Sequence, residues 1–343
     1  MLSRSDVTII GGGLVGTSLA LALTPLKLSI DVIEAVSPDD PEQPSFDART
    51  IALTWSSRQI LNAIGVWPAL AEHASPIHSI HVSNQGHSGI TRLDRALIKT
   101  EALGYVLPSR CLGQVLVQNT TLHPSISCHI PVSVTNLQSS VDAVRIYTSA
   151  NTNPIESRLV VLADGGRSSL RESLGMTRQE TRYDQTALVT NIETDRPHEH
   201  RAYERFTPSG PLALLPSGEN QFAVAWTLPV QKAESYINLP ADEFLARLQG
   251  VFGDRAGFFM RIGARKTYPL SLVQIPQPVC GRTVAVGNAA HQFHPVAGQG
   301  FNLGLRDVAE LAECISESLG LGMDIGSPDV LSRYAQSRRK QTR

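Results

Sequence analysis

A glycine-rich turn close to the N-terminus constrains this chain more than any other feature. Residues 6–10 read as a buried parallel strand, and a helical run follows shortly after them. Between the two, Gly11, Gly13 and Gly16 have the spacing G-x-G-x-x-G. Glycines at this spacing allow a tight turn and let a pyrophosphate approach the N-terminus of the helix. Taken alone the spacing is weak evidence, and a glycine-rich turn without a ligand is the alternative.

The next segment favours a ligand. Residues 30–33 form a second strand that ends in Glu34. In dinucleotide-binding folds, an acidic residue about twenty positions after the glycines binds a ribose hydroxyl. A strand, a glycine turn, a helix and an acidic strand end in this order predict a dinucleotide-binding unit.

A central segment fits the same kind of ligand. Residues 159–163 predict a buried strand that ends in Asp164-Gly165, and Ser168 or Ser169 is placed to cap the helix after it. Alone, this motif would be read as an ordinary Asp-Gly turn.

A late segment combines a short strand, a loop rich in glycine and proline, and an amphipathic helix. Residues 284–286 form the strand, and Gly287-Asn288 follows. The glycines of the loop let the backbone approach a ligand closely, and the helix points its first N–H groups at the same place. Apolar residues at three- and four-residue spacing predict this helix, and Gly320 marks its end. Ser327-Pro328 is typical of the start of a helix and predicts a last helix there.

Together the three segments resemble the flavin monooxygenases of the para-hydroxybenzoate hydroxylase class, which carry the same motifs in the same order. The resemblance runs from Asp6 to about Arg339. Within the class the ubiquinone-biosynthesis hydroxylases fit best, and among them the chain is most similar to the 2-octaprenyl-6-methoxyphenol hydroxylases. The marks of this branch are residues 46–53, 64–67, 201–206, 210–216 and 268–270. Asn288 departs from the aspartate of most of the class; its amide oxygen still accepts a hydrogen bond from a hydroxyl but carries no charge.

The resemblance implies an α/β fold in which a Rossmann-like FAD-binding domain carries an inserted, mostly antiparallel β-sheet substrate domain. The FAD-binding domain must be discontinuous, because motifs at the beginning, middle and end have to meet one flavin. It is assigned residues 1–75, 98–177 and 270–343. The substrate domain is assigned residues 76–97 and 178–269, where alternating strands with regular turns predict an antiparallel sheet.

The implied function is FAD-dependent hydroxylation of the aromatic ring of a polyprenylated phenol in ubiquinone biosynthesis, through a flavin C4a-hydroperoxide. Dioxygen supplies the oxygen atom, and transiently bound NAD(P)H is the implied electron donor. Partners implied with it are a ubiquinone-biosynthesis protein assembly and peripheral contact with the membrane. Two alternatives stay open: a flavin-dependent reductase of prenyl double bonds, and a non-catalytic member of that assembly.

The resemblance assigns residues to two roles. The cofactor-binding residues are Gly11, Gly13, Gly16, Glu34, Arg49, Asp164, Gly165, Gly287, Asn288, Gly300, Phe301 and Asn302. The catalytic residues are His294, Pro295, Gly298 and Gly300. In these roles the N–H groups of residues 298–302, at a positive helix end, stabilise the N1/O2 edge of the flavin, and Pro295 shapes the wall beside the ring.

Several assignments have ordinary alternatives. Arg49 matches an arginine that contacts the cofactor in this class, but a surface salt bridge is the alternative. His291 and His294 either relay protons or are satisfied loop histidines. Core packing is favoured over a role in an apolar pocket around the phenol for Leu212, Leu214, Trp226 and Tyr268.

Composition excludes other classes. The formal net charge of -1 gives no electrostatic footprint for nucleic acid. The four cysteines are widely scattered, so neither a zinc site nor a disulfide framework is indicated, and no metal site is expected. The uncharged run over residues 7–26 is interrupted by glycines and by Pro25, which favours strand, turn and helix over a membrane span. Without a secretion signal, a cytoplasmic protein is expected, with peripheral contact at the inner face of the membrane left open.

Overall fold

The computed structural model of the chain describes residues 3–37, 40, 49–150, 153–292 and 299–341. Within these residues it contains ten α-helices and twenty strands. In chain order they are β1 (Ser3–Ile10), α1 (Leu14–Leu23), β2 (Ile30–Ile33), β3 (Thr50–Thr54), α2 (Trp55–Ala63), α3 (Trp67–Leu70), β4 (Ser75–Ile77), β5 (Ser79–Asn84), β6 (Ile90–Asp94), α4 (Arg95–Ile98), β7 (Gly104–Pro108), α5 (Ser109–Leu122), β8 (Ile126–His129), β9 (Val134–Ser139), β10 (Val144–Thr148), β11 (Ile155–Leu162), α6 (Leu170–Ser173), β12 (Gln179–Thr194), β13 (Arg201–Thr207), β14 (Gly210–Ser217), β15 (Gln221–Pro229), α7 (Val230–Ile237), α8 (Ala241–Phe252), β16 (Phe259–Ile262), β17 (Lys266–Gln274), β18 (Val279–Cys280), β19 (Thr283–Ala285), β20 (His291–Gln292), α9 (Gln299–Gly320) and α10 (Pro328–Gln341).

The first sheet is mostly parallel and contains the N-terminal motif. Its strands lie in the order β18-β19-β11-β1-β2-β8, and the hairpin β9–β10 pairs with the first half of β11. Strand β1 is central, because it pairs in parallel with β2 on one side and with β11 on the other. Its side chains alternate between two cores: Val7 and Ile9 pack beneath α1, α5 and α9, whereas Ile10 faces the opposite side.

The second sheet is mostly antiparallel, as the resemblance implied. It has nine strands in the order β20-β17-β12-β15-β14-β13-β5-β6, with β16 paired to β12, and only β5 and β13 are parallel neighbours. One face packs against α7 and α8, where Leu188, Trp226 and Phe244 are fully buried. Strand β17 crosses the expected domain boundary at residue 270, and the division into domains stays a prediction.

A small third sheet, in the order β3-β7-β4, lies against the free face of the second sheet. Ile77 and Val106 of the small sheet pack with Ala202 and Leu215 of the second sheet. Strand β3 also contacts α9. The small sheet therefore lies between α9 and the face of the second sheet opposite α7 and α8.

The predicted late helices are present, and the central helix is shorter than its motif suggested. Helix α9 ends at Gly320, and α10 begins at Pro328, as expected. Helix α6 has four residues, and the side chain of its N-cap Ser169 makes no capping bond. The hydroxyl of Ser168 bonds Asp164 instead, because the Asp164 carboxylate folds the loop back on itself. Within the described part of the chain, no helix has the length and apolar character that crossing a membrane requires.

We expect Trp226→Ala to destabilise the second sheet severely. Trp226 is 0% exposed, and its ring lies 5.3 Å from that of Tyr236 and 6.3 Å from that of Phe244 between ring centroids. Removing a buried tryptophan costs about 3–5 kcal/mol of unfolding free energy. Urea unfolding followed by circular dichroism measures the loss.

Two variants calibrate that measurement. Trp226→Phe keeps an aromatic ring, and the Trp226 Nε1 has no hydrogen-bond partner among the described residues, so it should cost less than the alanine variant. Leu321→Ala changes a side chain that is 70% exposed and should shift stability by no more than about 0.5 kcal/mol. Equal losses for Trp226→Ala and Leu321→Ala would contradict the placement of Trp226 in this core.

Candidate functional site

The carboxyl ends of β1, β2, β11 and β19 meet at one edge of the first sheet, because these strands run parallel in adjacent positions. The glycine turn follows β1, Glu34 follows β2, Asp164 lies just after β11, and Gly287 lies just after β19. The topology thus brings all three sequence motifs to the same edge.

Two glycines of the N-terminal turn are required by the fold itself. Gly11 has φ of +111°, and a Cβ there would lie 2.5 Å from the carbonyl oxygen of Ala163. A Cβ on Gly16 would overlap the carbonyl oxygen of Gly11. Gly13, by contrast, has an ordinary φ of −74° and serves as the N-cap of α1. The backbone conformation therefore does not require glycine at position 13. The predicted close contact with a pyrophosphate would require it.

The N-terminus of α1 fits a phosphate group. No side chain caps this end of the helix, whose N-cap is Gly13 and whose first residue is Leu14. The N–H groups of a first helical turn have no intrahelical partners, and together with the helix dipole they bind anions. The described residues therefore present uncapped donors where the motif predicts a pyrophosphate.

Glu34 is held beside the glycine turn by two backbone hydrogen bonds. Its Oε2 accepts from the N–H of Gly12 at 2.7 Å, and its Oε1 accepts from the N–H of Val36 at 2.9 Å. Each carboxylate oxygen can accept a further bond. The predicted bond to a ribose hydroxyl is compatible with this geometry.

Asp164 organises the central loop. Its Oδ1 accepts from the N–H of Gly166 at 2.9 Å, and its Oδ2 accepts from the N–H of Ser168 at 3.2 Å. Gly165 has φ of +69° and is exposed at the tip of this loop. The carboxylate thus shapes the turn that faces the edge of the sheet.

Arg171 ties the central loop to the late loop, a role that no sequence rule indicated. Its side chain is buried; Nη2 donates to the carbonyl of Gly166 at 2.7 Å and Nη1 donates to the carbonyl of Ala289 at 2.9 Å. A guanidinium has fixed donor directions, so it sets the separation of the two loops.

The late turn is closed against α1. Gly287 has φ of +57°, and a Cβ there would lie 3.0 Å from Cγ2 of Val15. Asn288 is exposed at the edge of the sheet, and a Cβ on Gly300 would lie 3.8 Å from its Oδ1. Asn288 and the start of α9 therefore flank the same space.

A buried carboxylate that the sequence reading missed supports this turn. Asp307 Oδ2 accepts from the N–H of Gly287 at 2.7 Å and lies 2.7 Å from Nε2 of His291. Its Oδ1 accepts from Nε of Arg338 at 2.5 Å. The side chains of Asp307 and Arg338 are 1% and 6% exposed. An acid within the apolar stripe of α9 was the one available sequence signal.

These contacts place several predicted residues. Pairing with Asp307 favours the satisfied-histidine interpretation of His291 over a proton relay. Gly300, Phe301 and Asn302 lie in the first turn of α9, where their N–H groups were predicted to act. The Asn302 side chain also bridges to β3, since its Oδ1 accepts from the N–H of Thr54 and its Nδ2 donates to the carbonyl of Ala52.

Arg49 reaches toward the second sheet. Its guanidinium carbon lies 4.9 Å from the ring centroid of Tyr268 in β17, a cation–π distance. This contact connects the loop before β3 with the second sheet, and the predicted contact of Arg49 with the cofactor stays a prediction. His294, Pro295 and Gly298 lie outside the described residues, as do residues 46–48 of the branch motif.

Core packing, the favoured interpretation of the four pocket candidates, is confirmed for three of them. Leu212, Leu214 and Trp226 are 0% exposed and point into the core beneath α7 and α8, so core packing is their role. Side chains of a strand alternate between faces, which leaves their neighbours on the face opposite α7 and α8. That face carries the small side chains of Ala187, Ala213, Ala223 and Ala225.

Glu204 lies on this alanine face. It pairs directly with Ala213 across β13 and β14, two positions along from Ala202, which packs on the small sheet. Its carboxylate makes no hydrogen bond or ion pair with any other residue that the structure describes. Burial raises the pKa of Glu204 above its usual value. A desolvated carboxyl without a partner beside a smooth apolar face is a candidate acid–base group.

The chain is similar in sequence to known flavin-dependent proteins. The profile of the family described as FAD binding domain matches residues 4–343. Ubiquinone hydroxylase UbiL of Rhodospirillum rubrum is 37% identical over 335 residues, which cover 98% of this chain and 78% of the relative. The chain belongs to the FAD-dependent ubiquinone-biosynthesis hydroxylases. This hydroxylase is also 29% identical to the 3-demethoxyubiquinol 3-hydroxylase of Escherichia coli, over 97% of this chain and 85% of that protein.

Solved structures show the same fold. The hydroxylase superposes on p-nitrophenol 4-monooxygenase PnpA of Pseudomonas putida with a TM-score of 0.79 at 22% identity, over 99% of this chain and 86% of that one. PqsL of Pseudomonas aeruginosa gives a TM-score of 0.82 at 19% identity, over 98% and 92% of the two chains. In the parts of the hydroxylase that the structure describes, no group of three or more His, Cys, Asp or Glu residues could hold a metal ion.

We expect Arg338→Met to destabilise the hydroxylase and to weaken FAD binding. The change leaves the Asp307 carboxylate buried without its cation, which costs about 3–5 kcal/mol. Because Asp307 also holds the N–H of Gly287, the FAD dissociation constant should rise. Thermal unfolding and flavin fluorescence titration measure the two effects.

Two further variants make this test specific. Arg338→Met combined with Asp307→Asn removes both charges and should recover part of the lost stability. Arg333→Met removes an arginine of the same helix whose side chain is 43% exposed, and it should cost no more than about 1 kcal/mol. An effect of Arg338→Met no larger than that of Arg333→Met would contradict the role of the buried pair.

Proposed function

We propose that this protein hydroxylates the aromatic ring of a polyprenylated phenol in ubiquinone biosynthesis, with FAD as its cofactor, dioxygen as the oxygen source and NAD(P)H as a transient electron donor. The observation that carries the proposal is the meeting of three loops at one edge of the first sheet. Relatives named ubiquinone hydroxylase and ubiquinone biosynthesis monooxygenase support the substrate class.

The residues of the sheet edge would hold FAD along its length. The N-terminus of α1 and the glycine turn receive the pyrophosphate, and Glu34 binds the adenosine ribose. Asp164 and Asn288 would accept hydrogen bonds from hydroxyls of the cofactor. The first turn of α9, with Gly300 and Phe301, offers N–H groups to the N1/O2 edge of the ring.

When bound and reduced, FAD supplies the two electrons with which one atom of dioxygen enters the ring and the other becomes water. The protein itself positions the phenol. Ala213 and Ala225 present only methyl groups on this face of the second sheet, so they would offer a flat apolar surface to the phenol ring.

Glu204 is the group that we assign to the phenol hydroxyl. Its carboxylate accepts the hydroxyl proton, which raises the electron density of the ring for attack on an electrophilic oxygen. Phenols ionise near pH 10, and burial raises the pKa of Glu204 toward that value. A smaller difference between the two pKa values makes the proton transfer easier.

The proposed reaction is tested with purified protein, FAD, NAD(P)H and a phenol that carries a short prenyl chain. We expect a yellow protein that bleaches with reductant, and a hydroxylated product that gains one labelled atom from ¹⁸O₂. Reduction of the prenyl chain without oxygen uptake would favour a reductase and contradict the proposal. A colourless protein that binds no FAD would favour a non-catalytic member of the assembly.

We expect Glu204→Gln to lower kcat/KM for the phenol by about 10²–10⁴-fold, the range typical of a lost general base. In the unchanged protein kcat/KM should rise with pH until Glu204 is ionised and then level off, since only the carboxylate accepts a proton. The glutamine variant should lose this rising limb while it keeps its flavin spectrum.

Glu199→Gln is the matched control, because Glu199 lies just before β13 and its side chain is 72% exposed. It should keep both the rate and the pH profile. An unchanged pH profile in Glu204→Gln would show that Glu204 does not take the proton.

A further inference from the structure

An exposed apolar cluster lies at the outer edge of the second sheet. Ile90 and Leu93 of β6 are 44% and 47% exposed, and Leu97 and Ile98 of α4 are 74% and 59% exposed. We call these four residues the apolar edge. They lie within nine consecutive residues; Ile90 and Leu93 project from opposite faces of the edge strand β6, and Leu97 and Ile98 lie on the helical turn that follows it. Large exposed apolar side chains grouped in this way usually mark a contact surface.

The apolar edge is an ordered part of the fold. Strand β6 pairs with β5 along its length. Asp94 caps α4 by accepting from the N–H of Ala96 at 2.9 Å, and the N–H of Arg95 donates to the carbonyl of His78 at 2.9 Å. The Arg95 guanidinium donates to the carbonyl of Glu101 at 2.7 Å. These bonds hold the turn in place, so Leu97 and Ile98 project from a fixed support.

The charges around the apolar edge are mainly positive. Residues 90–99 contain Arg92, Arg95 and Lys99 but only one acid, Asp94, whose carboxylate is engaged in capping. Neither Arg92 nor Lys99 forms an ion pair with another described residue. Exposed apolar side chains near unpaired cations complement an anionic lipid surface. The apolar side chains enter the acyl boundary, and the cations meet the headgroups.

The apolar edge also continues toward the alanine face. Leu93 pairs with Ile80, Ile80 pairs with Ala202, and the latter two pack with Leu215 in one cluster. Paired residues lie on the same face of a sheet, so an apolar row runs from the outer edge to the neighbourhood of Glu204. The inner part of this row is covered by the small third sheet, since Ala202 is 2% exposed and packs with Ile77 and Val106.

We propose that the apolar edge docks the protein on an anionic membrane surface, with Leu97 and Ile98 inserted between lipids and Arg92 and Lys99 at the headgroups. The inference rests on the proposed function, because a polyprenylated phenol partitions into lipid. It adds to that function the surface of the protein that contacts the membrane in which the substrate is dissolved.

The test uses the FAD-loaded protein and vesicles of phosphatidylcholine, with or without phosphatidylglycerol, in a co-sedimentation assay. Vesicles with phosphatidylglycerol should bind the protein, and salt should weaken the binding. Leu97→Ser combined with Ile98→Ser should reduce the partition coefficient at least about tenfold, because two large apolar side chains lose their burial. Arg92→Gln combined with Lys99→Gln should remove the preference for phosphatidylglycerol.

The matched control is Leu122→Ser combined with Leu321→Ser, which changes two leucines that are 75% and 70% exposed elsewhere on the surface. This variant should bind vesicles like the unchanged protein. Equal binding of the two serine double variants would overturn the proposal, as would the absence of binding to either vesicle. A third outcome would identify a second copy of the chain as the occupant instead. In that case the unchanged protein does not bind vesicles and is a dimer in analytical ultracentrifugation, and Leu97→Ser with Ile98→Ser converts it to a monomer.

A last comparison separates this proposal from the proposed reaction. With a short-chain phenol in solution, Leu97→Ser with Ile98→Ser should keep the flavin spectrum and the rate of hydroxylation. With a long-chain phenol in vesicles, the same variant should lose most of its rate. If the unchanged protein does not hydroxylate the short-chain phenol, the proposed function is refuted. Lipid binding can still be measured on its own.

Discussion

The parallel pairing of β1 with β11 is the constraint on which the rest of the structure depends. It joins two segments that are far apart in sequence, and it sets Gly11 directly against the backbone of Ala163. Only a residue without a Cβ fits this approach, which also requires a positive φ. Once β1 is placed between β2 and β11, Glu34 and Asp164 come to the same edge, and β19 adds Gly287 from the other end of the chain.

Buried charges hold this edge together where strand pairing ends. Arg171 joins the central and late loops through two carbonyl oxygens, and Asp307 joins the late loop to α10 through Arg338. Such groups are stable in the interior only when they are paired and hydrogen-bonded, and loss of one partner is costly. The geometry of the candidate site is therefore coupled to α10 through the buried pair of Asp307 and Arg338.

The second sheet separates packing from chemistry by the alternation of its strands. Large side chains, such as Trp226 and Leu214, fill the core beneath α7 and α8. Their neighbours on the other face include Ala213, Ala223 and Ala225. On this side of the sheet, burial raises the pKa of the Glu204 carboxyl above its usual value.

The sequence by itself determined the classes of structure and the motifs. Strand, glycine turn, helix and acidic strand end are local patterns, so residues 6–34 could be interpreted without the fold, and the same holds for the end of α9 at Gly320. The resemblance supplied the family and the antiparallel sheet, which the comparisons and the structure confirmed. Only the tertiary structure decided which face of β14 and β15 is core, because alternation shows that two faces exist but not which one is covered. It also decided the partners of Arg171 and Asp307 and the burial of Glu204, since each depends on segments distant in the chain, and no spacing rule records a distance between such segments.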